Sequence, residues 1–283
     1  MIFIINNNSM RFFFLLIFIV VGFSGCEVPG CMDSNAINYD LSATDDDGSC
    51  MYPPSQECVG SDNNCIEINF YHFVDDVEII FSNDNIVYEN SAGNNYSVRR
   101  ILYVLSDIML FFEDGTTLLL DEFIFVNTDD PNTLTKTIYD LPALCVGISF
   151  SLGFSSENNI DNQYIDSPNN FHSYMLWPNL NGTNPAFQGG YHYMKIEGKY
   201  VNNIDDQSFY NTHTGPTNAI NFSSIHSFTF NATQLISINM NVNNWYNNPI
   251  YDFNIFGSAI MSNIEAQDNL YQNASDVFSI QLN

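Results

Sequence analysis

Short apolar runs separated by polar turn residues make up most of the chain after residue 65. Several of these runs alternate apolar with polar positions, and they are rich in β-branched and aromatic side chains, which favours strands. The clearest runs cover residues 66–70, 118–126, 146–154, 191–199, 222–230 and 235–242. Turn residues punctuate them, as at Asp114 and Gly115 or at Asn181 and Gly182. The pattern predicts an all-β fold with a single β-sandwich-like domain over residues 66–283.

Helical periodicity is weak, and short helical turns are predicted only near residues 99–107 and 263–273. The preceding segment, residues 26–65, has a different character, because it is polar, acidic and rich in cysteine. A segment of this size cannot bury a hydrophobic core of its own and depends on disulfides or a metal. We therefore expect a short disulfide-stabilised acidic module in front of the sandwich.

The N-terminus has the features of an export signal. Arg11 is followed by an unbroken apolar run over residues 12–21, which is the length of a secretory signal core rather than of a membrane span. Small residues, among them Ser24 and Gly25, stand just before Cys26, as a lipoprotein signal peptidase requires. Residues 1–25 are thus predicted to be a signal peptide, with Met10 as the better start, and Cys26 to carry a lipid. The expected location is the outer membrane or cell surface, and an ordinary signal peptide with a periplasmic or secreted product is the alternative.

Cysteine parity agrees with lipidation of Cys26. When that residue is set aside, four of the remaining five cysteines lie close together in a polar segment where an oxidising compartment would bridge them, namely Cys31, Cys50, Cys58 and Cys65. Four cysteines allow three connectivities, and pairing of neighbours gives Cys31 with Cys50 and Cys58 with Cys65. Cys145 lies in an apolar run and is predicted to be a buried free thiol.

Charge and motif content exclude several functions. A formal net charge of -26 with only six Lys and Arg residues excludes nucleic acid as a natural partner, because phosphate contacts need basic side chains. The serines lack a nucleophile-elbow motif, the glycines form no phosphate-binding loop, and Cys145 has no basic neighbour to lower its pKa. Carboxylate pairs occur at no spacing that catalysis would demand. We therefore expect a protein that is not an enzyme.

Residues 30–50 resemble a short module found in secreted proteins of Bacteroidetes. Its pattern is Gly-Cys-Thr-Asp, then Ala-x-Asn-Tyr, then Ala-Thr-x-Asp-Asp-Gly-Ser-Cys, and Met32 replaces the usual Thr. Its carboxylates could offer hard oxygen ligands to Ca²⁺, and Gly48 permits a sharp turn between them. The calcium candidates are Asp33, Asp40, Asp45 and Asp47. The alternative is a loop of Asx turns closed by a disulfide with no ion bound.

The larger domain, over residues 68–282, resembles the MbnP-like family of copper proteins encoded with methanobactin genes. The resemblance is carried by Asn69-Phe70-Tyr71-His72, Leu105-Ser106-Asp107, Ser149-Phe150-Ser151-Leu152-Gly153, Met175-Leu176-Trp177, the stretch from Gly190 to Gly198, and Asn211-Thr212-His213-Thr214-Gly215. The order of these pieces and the pattern Gly-Tyr-x-x-x-Lys-x-Glu-Gly give the match its specificity.

The resemblance implies copper bound by histidines near an oxidised, kynurenine-type tryptophan, and a di-haem peroxidase-like partner protein. On the matching positions it implies His72, His213 and His192 as metal ligands. The candidates for positions close to the metal, or for modification, are Trp177, Met194 and Met175. One departure concerns the tryptophan chemistry, because Pro178 and Asn179 follow Trp177, an insertion runs to Gln188, and the family's second tryptophan is absent.

The five histidines form no close pair along the sequence, so a metal site must be assembled from distant strands. Imidazole and thioether are the donors that copper prefers among neutral side chains. If residues 191–197 form one strand, His192 and Met194 share a face and make a soft donor pair, although an ordinary strand face has the same pattern. His172 and His226 have weaker support, and His226 serves as a control position.

Two functions follow from these observations. The first is a lipid-anchored copper-binding protein whose sandwich domain supplies the histidines. The second is a surface adhesin-like or glycan-binding module with no metal site, since the abundance of Tyr, Trp and Asn also suits carbohydrate stacking and hydrogen bonding. Histidines that meet at one point favour the first, and an aromatic-lined groove with scattered histidines favours the second.

Overall fold

The computed structural model describes residues 28–32, 39–47, 49, 58, 64–217 and 224–282. Contacts divide the chain into two units, Met1–Gln56 and Glu57–Asn283. The predicted signal peptide, the lipidation site Cys26, the calcium candidate Asp33 and Cys50 lie outside the described residues. Within the part of the chain that is described, no helix is long and apolar enough to span a membrane.

The first unit contains a short parallel pair of strands, Pro29–Gly30 (β1) and Asp45–Asp46 (β2). Cys31 is buried and disulfide-bonded, whereas its predicted partner lies outside the described residues. The Asp40 carboxylate accepts hydrogen bonds from the amide and hydroxyl of Ser42 (2.8 and 2.6 Å), and Asp47 accepts one from the Ser49 amide (2.9 Å). These bonds lower the pKa of Asp40 and of Asp47. Both carboxylates therefore close Asx turns, the arrangement that needs no ion.

The second unit is a β-sandwich, as the sequence predicts. Its strands are Ile66–Val74 (β3), Val77–Glu78 (β4), Tyr88–Glu89 (β5), Asn95–Tyr96 (β6), Arg100–Phe112 (β7), Thr117–Leu119 (β8), Ile124–Asn127 (β9), Thr135–Ile138 (β10), Cys145–Leu152 (β11), Met194–Val201 (β12), Gln207–Thr214 (β13), Ser224–Thr233 (β14), Leu235–Asn241 (β15) and Phe278–Leu282 (β16). Its α-helices are Phe171–Met175 (α1), Phe253–Phe256 (α2) and Ile264–Asn273 (α3), and its 3₁₀ helices are Pro131–Thr133, Val242–Tyr246 and Ala274–Asp276.

The strands form two sheets. The smaller sheet has the order β10-β3-β15-β16, with β4 beside β3. The larger sheet has the order β14-β11-β7-β12-β6-β5, with β13 beside β12 and with β8 and β9 beside β7. Pairing is antiparallel except between β3 and β15, which run parallel. Alternate residues of each sheet face the other sheet and form the main core, as in β3, where burial alternates along the strand.

A second apolar cluster covers the opposite, outer face of the larger sheet. Leu102 and Val104 of β7 project into it, and Phe154, Phe171 of α1 and Tyr191 pack over them. Tyr103 and Leu105, the residues between and after the two β7 members, face the main core instead. The segment around α1 is therefore a layer laid on the outside of the sandwich, and it carries part of the candidate site.

The helical turn predicted near residues 99–107 is wrong, because this segment is the start of the long strand β7. Both faces of the strand are buried at residues 101–105, so the apolar-polar alternation of a half-buried strand is absent.

A β-bulge adds to the misleading pattern of β7. Asp107 has a φ of 50°, and the pairing with β11 shifts in this region, since Ser106 lies opposite Ser151 whereas Met109 lies opposite Ser149. The core-facing positions consequently jump from Leu105 to Ile108, a spacing of three residues. That spacing is typical of a helix when it is seen in the sequence alone.

The remaining local predictions can be compared with the structure directly. The run 118–126 is divided into β8 and β9, and the helix predicted near residues 263–273 is α3, whose first turn is capped by Asn263 accepting a hydrogen bond from the Ala266 amide (3.1 Å). Cys58 and Cys65 form a disulfide. Cys145 is a buried free thiol, and burial raises its pKa.

Candidate metal centre

His192 and His213 meet on the outer side of the larger sheet. Burial alternates along β13, so that Thr212 and Thr214 are buried on the core side and His213 projects outward, with 15% of its side chain exposed. His192 stands two residues before β12, whose Lys195 is the register partner of His213. The two imidazole centroids are 5.1 Å apart, with the rings nearly perpendicular.

Trp177 packs against His192 of this pair. The chain leaving α1 pairs with residues 190–192, since the Trp177 amide donates to the Gly190 carbonyl (2.8 Å) and the His192 amide donates to the Met175 carbonyl (2.6 Å). This short ladder sets the indole edge-to-face with the His192 imidazole at a centroid distance of 4.7 Å. The indole Nε1 donates to the Ala186 carbonyl (2.8 Å), and the side chain is fully buried. Trp177 is thus held in one orientation beside His192.

Gly215 makes this packing possible. The residue directly follows β13, and a Cβ at this position would overlap ring carbons of the Trp177 indole. Only glycine lets the backbone approach a buried ring so closely. The Thr-Gly step after His213 therefore has a packing role.

Glu197 binds His213 from the neighbouring strand. The Nε2 of His213 lies 2.8 Å from the Glu197 Oε1, and the Arg100 Nε donates to Oε2 at 2.6 Å. Lys195 adds a second positive group beside that of Arg100, with its Nζ 3.8 Å from Oε1. Burial raises the pKa of Glu197, but the hydrogen bonds from His213 and Arg100 lower it more, and the net pKa lies well below the usual range. The carboxylate is therefore ionised and accepts hydrogen bonds only.

Both histidines of the pair have lowered pKa values, which favours their neutral forms at physiological pH. Burial lowers the pKa of His192 well below its ordinary value, and the neighbouring His213 and Lys195 add to the effect. Burial also lowers the pKa of His213, although Glu197 opposes this shift. The His192 Nδ1 is buried and has no hydrogen-bond partner among the described residues. A neutral imidazole with a free nitrogen lone pair is the form that binds a metal.

His72 lies on the other side of the larger sheet, in the core between the two sheets. Its ring packs edge-on against Tyr103 and Phe81 at centroid distances of 5.7 and 6.0 Å. Burial lowers its pKa to about 3, and its Nε2 has no hydrogen-bond partner in the described part of the chain. No group of three or more His, Cys, Asp and Glu side chains is placed to hold a metal ion among the described residues. The structure thus joins His192 and His213 and does not add His72 to them.

The other histidines and methionines considered as site residues lie in several different environments. His172 Nδ1 lies 3.0 Å from the Tyr191 hydroxyl, next to the second apolar cluster that contains Met175. His226 stacks on a core phenylalanine, lies 3.0 Å from the Ser224 hydroxyl, and has its pKa lowered by burial to about 4. Met194 belongs to the main core, and strand β12 begins only at this residue. The regular alternation on which a His192–Met194 pair depends therefore does not extend to His192.

Sequence reasoning assigned no role to Glu197, Arg100 or Gly215. Glu197 and Gly215 stand within the quoted motifs, and the Lys-x-Glu spacing of β12 puts Lys195 and Glu197 on one strand face. The role of Glu197 and Arg100 could not be foreseen, because it depends on the register that sets Glu197 opposite Arg100 and Lys195 opposite His213. The role of Gly215 depends on its close approach to Trp177 in the folded chain.

The fold and this cluster define a class of protein, a β-sandwich with a pair of histidines at the outer face of one sheet, one of which packs on a buried tryptophan. The MbnP family matches residues 63–262, and the chain belongs to this family. The fold is similar to that of MbnP from Methylosinus trichosporium, with a TM-score of 0.51, 12% sequence identity, and coverage of 78% of this chain and 99% of that chain. No curated protein sequence matches the chain.

Proposed function

We propose that this protein is an exported copper-binding protein in which His192 and His213 bind the metal beside Trp177. Membership of the MbnP family supports a methanobactin-associated, copper-related function. The observation that carries the proposal is the meeting of two neutral imidazoles, one of which has a buried Nδ1 without a partner among the described residues.

The donor chemistry of the pair fits copper. Two imidazole nitrogens that share one ion at about 2.0 Å each are at most about 4 Å apart, a separation that rings with centroids 5.1 Å apart can provide. Imidazole nitrogen is a ligand that suits copper. The nearby charges of Arg100 and Lys195 disfavour a doubly charged ion, and the carboxylate beside them is already taken up by its own hydrogen bonds. We therefore propose Cu(I), which accepts low coordination numbers, as the ion bound.

Trp177 is proposed to shield the metal rather than to require oxidation. The insertion after Trp177 folds back so that the Ala186 carbonyl accepts the indole hydrogen bond and Phe187 packs on the ring at 6.2 Å. A di-haem peroxidase-like partner remains part of the proposal as the agent of any oxidation. Intact mass spectrometry of the protein co-expressed with such an oxidase tests this point. An unchanged mass supports binding without modification, and an added mass that maps to Trp177 contradicts it.

Export and lipid anchoring on Cys26 are proposed from the N-terminal sequence. The Cys26→Ala variant, expressed in the native host, is expected to leave the membrane fraction or to stay unprocessed, because the lipid is attached through that sulfur. Fractionation followed by immunoblotting measures this. Membrane attachment equal to that of the wild type would remove the lipoprotein proposal.

The copper site is tested by titrating metal-free protein with Cu(I) against a chromogenic chelator under anaerobic conditions. The His192→Ala/His213→Ala variant is expected to lose one equivalent of tightly bound copper. His226→Ala is the matched control, since His226 and His192 are both 5% exposed and both have lowered pKa values. The control should retain the wild-type stoichiometry.

Equal copper binding by the wild type and the double variant would overturn the metal site. The surface-interaction alternative, a module that binds a glycan or another protein without a metal, would then be the better account. As a non-catalytic protein, it is expected to show no turnover in either case.

A further inference from the structure

We infer that Glu197 is a positioning residue that holds His213 in the tautomer with its proton on Nε2, so that Nδ1 carries the lone pair for the metal. The inference rests on the proposed function, because it specifies which nitrogen of His213 binds copper. It also makes a statement about the metal-free protein that can be tested by itself.

The tautomer follows from the contact between His213 and Glu197. An ionised carboxylate only accepts hydrogen bonds, so the His213 Nε2 at 2.8 Å from Oε1 must be the donor. The imidazole that binds a metal is the neutral form, and a neutral ring has a single N–H, here the one on Nε2 that Glu197 accepts. The remaining nitrogen, Nδ1, therefore carries a lone pair, and no hydrogen bond fixes it within the described chain.

The orientation of Glu197 is fixed from the opposite side. Arg100, its register partner on β7, donates to Oε2 at 2.6 Å, while Lys195 approaches Oε1 on the face shared with His213. A carboxylate held by three groups has little freedom to turn toward a metal. Glu197 thus orients a ligand and does not act as one, which is the usual relation between a carboxylate and a metal-binding histidine.

The backbone of His213 is fixed as well. Gln267 of α3 is buried, and its Nε2 donates to the His213 carbonyl at 2.8 Å. With the carbonyl held by α3 and the ring held by Glu197, rotation of the His213 side chain would break a charge-assisted hydrogen bond. The affinity for Cu(I) should therefore depend on the hydrogen bond between Glu197 and His213, and not only on the negative charge of Glu197.

The first experiment measures the ring ¹⁵N chemical shifts of His213 in metal-free protein. The wild type is expected to show a protonated Nε2 and an unprotonated Nδ1. Glu197→Gln should show a mixture of tautomers, because the amide can donate to Nε2 as well as accept from it. Asp84→Asn is the matched control, since it removes one carboxylate from the exposed Lys199–Asp84 ion pair on the neighbouring part of β12.

The second experiment compares the Cu(I) affinities of the same three proteins, with thermal unfolding as the check on folding. Glu197→Gln is expected to bind Cu(I) about 10- to 100-fold more weakly, whereas Asp84→Asn should match the wild type. A wild-type spectrum with the proton on Nδ1 would overturn the inference, and this measurement needs no variant. Unchanged affinity and tautomer in a folded Glu197→Gln variant would also overturn it. If the wild type shows the expected tautomer but binds no copper, the positioning role of Glu197 stands and the copper proposal is refuted.

Discussion

The two faces of the larger sheet hold histidines in contrasting surroundings. On the outer face His213 has a carboxylate on one nitrogen and His192 beside it. On the inner side, His226 of the larger sheet and His72, which reaches the core from β3 of the smaller sheet, are also buried, but their rings pack mainly against Tyr103, Phe81, Phe150 and Phe278. All four imidazoles have pKa values lowered chiefly by burial.

Under the proposed function, burial of a neutral histidine would therefore not be sufficient for a metal site. What distinguishes the outer face is a second imidazole at 5.1 Å and a carboxylate that fixes the tautomer. The inner-face rings are part of an aromatic core, where they contribute packing area. The following predictions test whether the two faces differ in this way.

The largest effect is expected from Gly215→Ala. The added Cβ would overlap the buried indole of Trp177, so the ring or the end of β13 must move, at a cost of about 3 kcal/mol in the free energy of unfolding. The same shift should displace His192 and weaken Cu(I) binding. Chemical denaturation and the indole N–H resonance of Trp177 measure the two effects.

Gly93→Ala is the control for this substitution. Gly93 has a φ of 79°, and a Cβ at this residue would meet no other atom within 4 Å, so the variant incurs only backbone strain of about 1 kcal/mol. Its Trp177 resonance and copper affinity should stay unchanged. Equal behaviour of the two variants would show that the indole packing does not support the site.

The second prediction concerns the inner face and acid stability. The unfolded chain protonates His72 near pH 6.5, whereas the folded protein does so only at about pH 3. The unfolded state therefore binds more protons between these values, and the free energy of unfolding falls as the pH falls, by up to about 1.4 kcal/mol per pH unit from this group.

His72→Phe should flatten this dependence between pH 6 and pH 4, with little loss of stability at pH 7, because the variant removes an unpartnered buried nitrogen from an aromatic site. Urea denaturation at several pH values measures the slope, and Cu(I) affinity should not change. An unchanged slope would contradict the buried neutral imidazole. A loss of copper binding would place His72 in the metal site.

The smallest effect is expected from Arg100→Gln. The variant removes the 2.6 Å contact with Glu197 but leaves the His213 contact, so we expect a loss of about 1 kcal/mol in unfolding free energy. Lys199→Gln, which breaks a pair whose Asp84 side chain is 87% exposed, should cost less than about 0.5 kcal/mol. Losses of equal size would mean that Glu197 is no better fixed than a surface carboxylate.

Much of the fold could be predicted from the sequence, and its failures have local causes. The half-buried strand β3 follows the predicted alternation of apolar and polar residues. Strand β7 does not, because Leu102 and Tyr103 are buried on opposite faces and the bulge at Asp107 shifts the pattern. Burial on the outer face comes from the layer around α1, which no pattern within β7 reveals.

The candidate site could be predicted only in part for the same reason. His192, His213 and Trp177 stand in motifs that a sequence shows. Pairing of β12 with β13 is needed to bring His213 near His192, and the pairing of the chain after α1 with residues 190–192 is needed to bring Trp177 there. His72 also stands in one of these motifs, but its position in β3 directs it into the core. Glu197 acquires its role from strand register, which depends on tertiary structure.

The most direct test of the central claim is the position of copper in a crystal of the copper-loaded protein, located by anomalous scattering at the copper edge. The account predicts one strong peak between His192 Nδ1 and His213 Nδ1, at about 2.0 Å from each nitrogen. A peak at His72 or His226, or at no histidine, would contradict it.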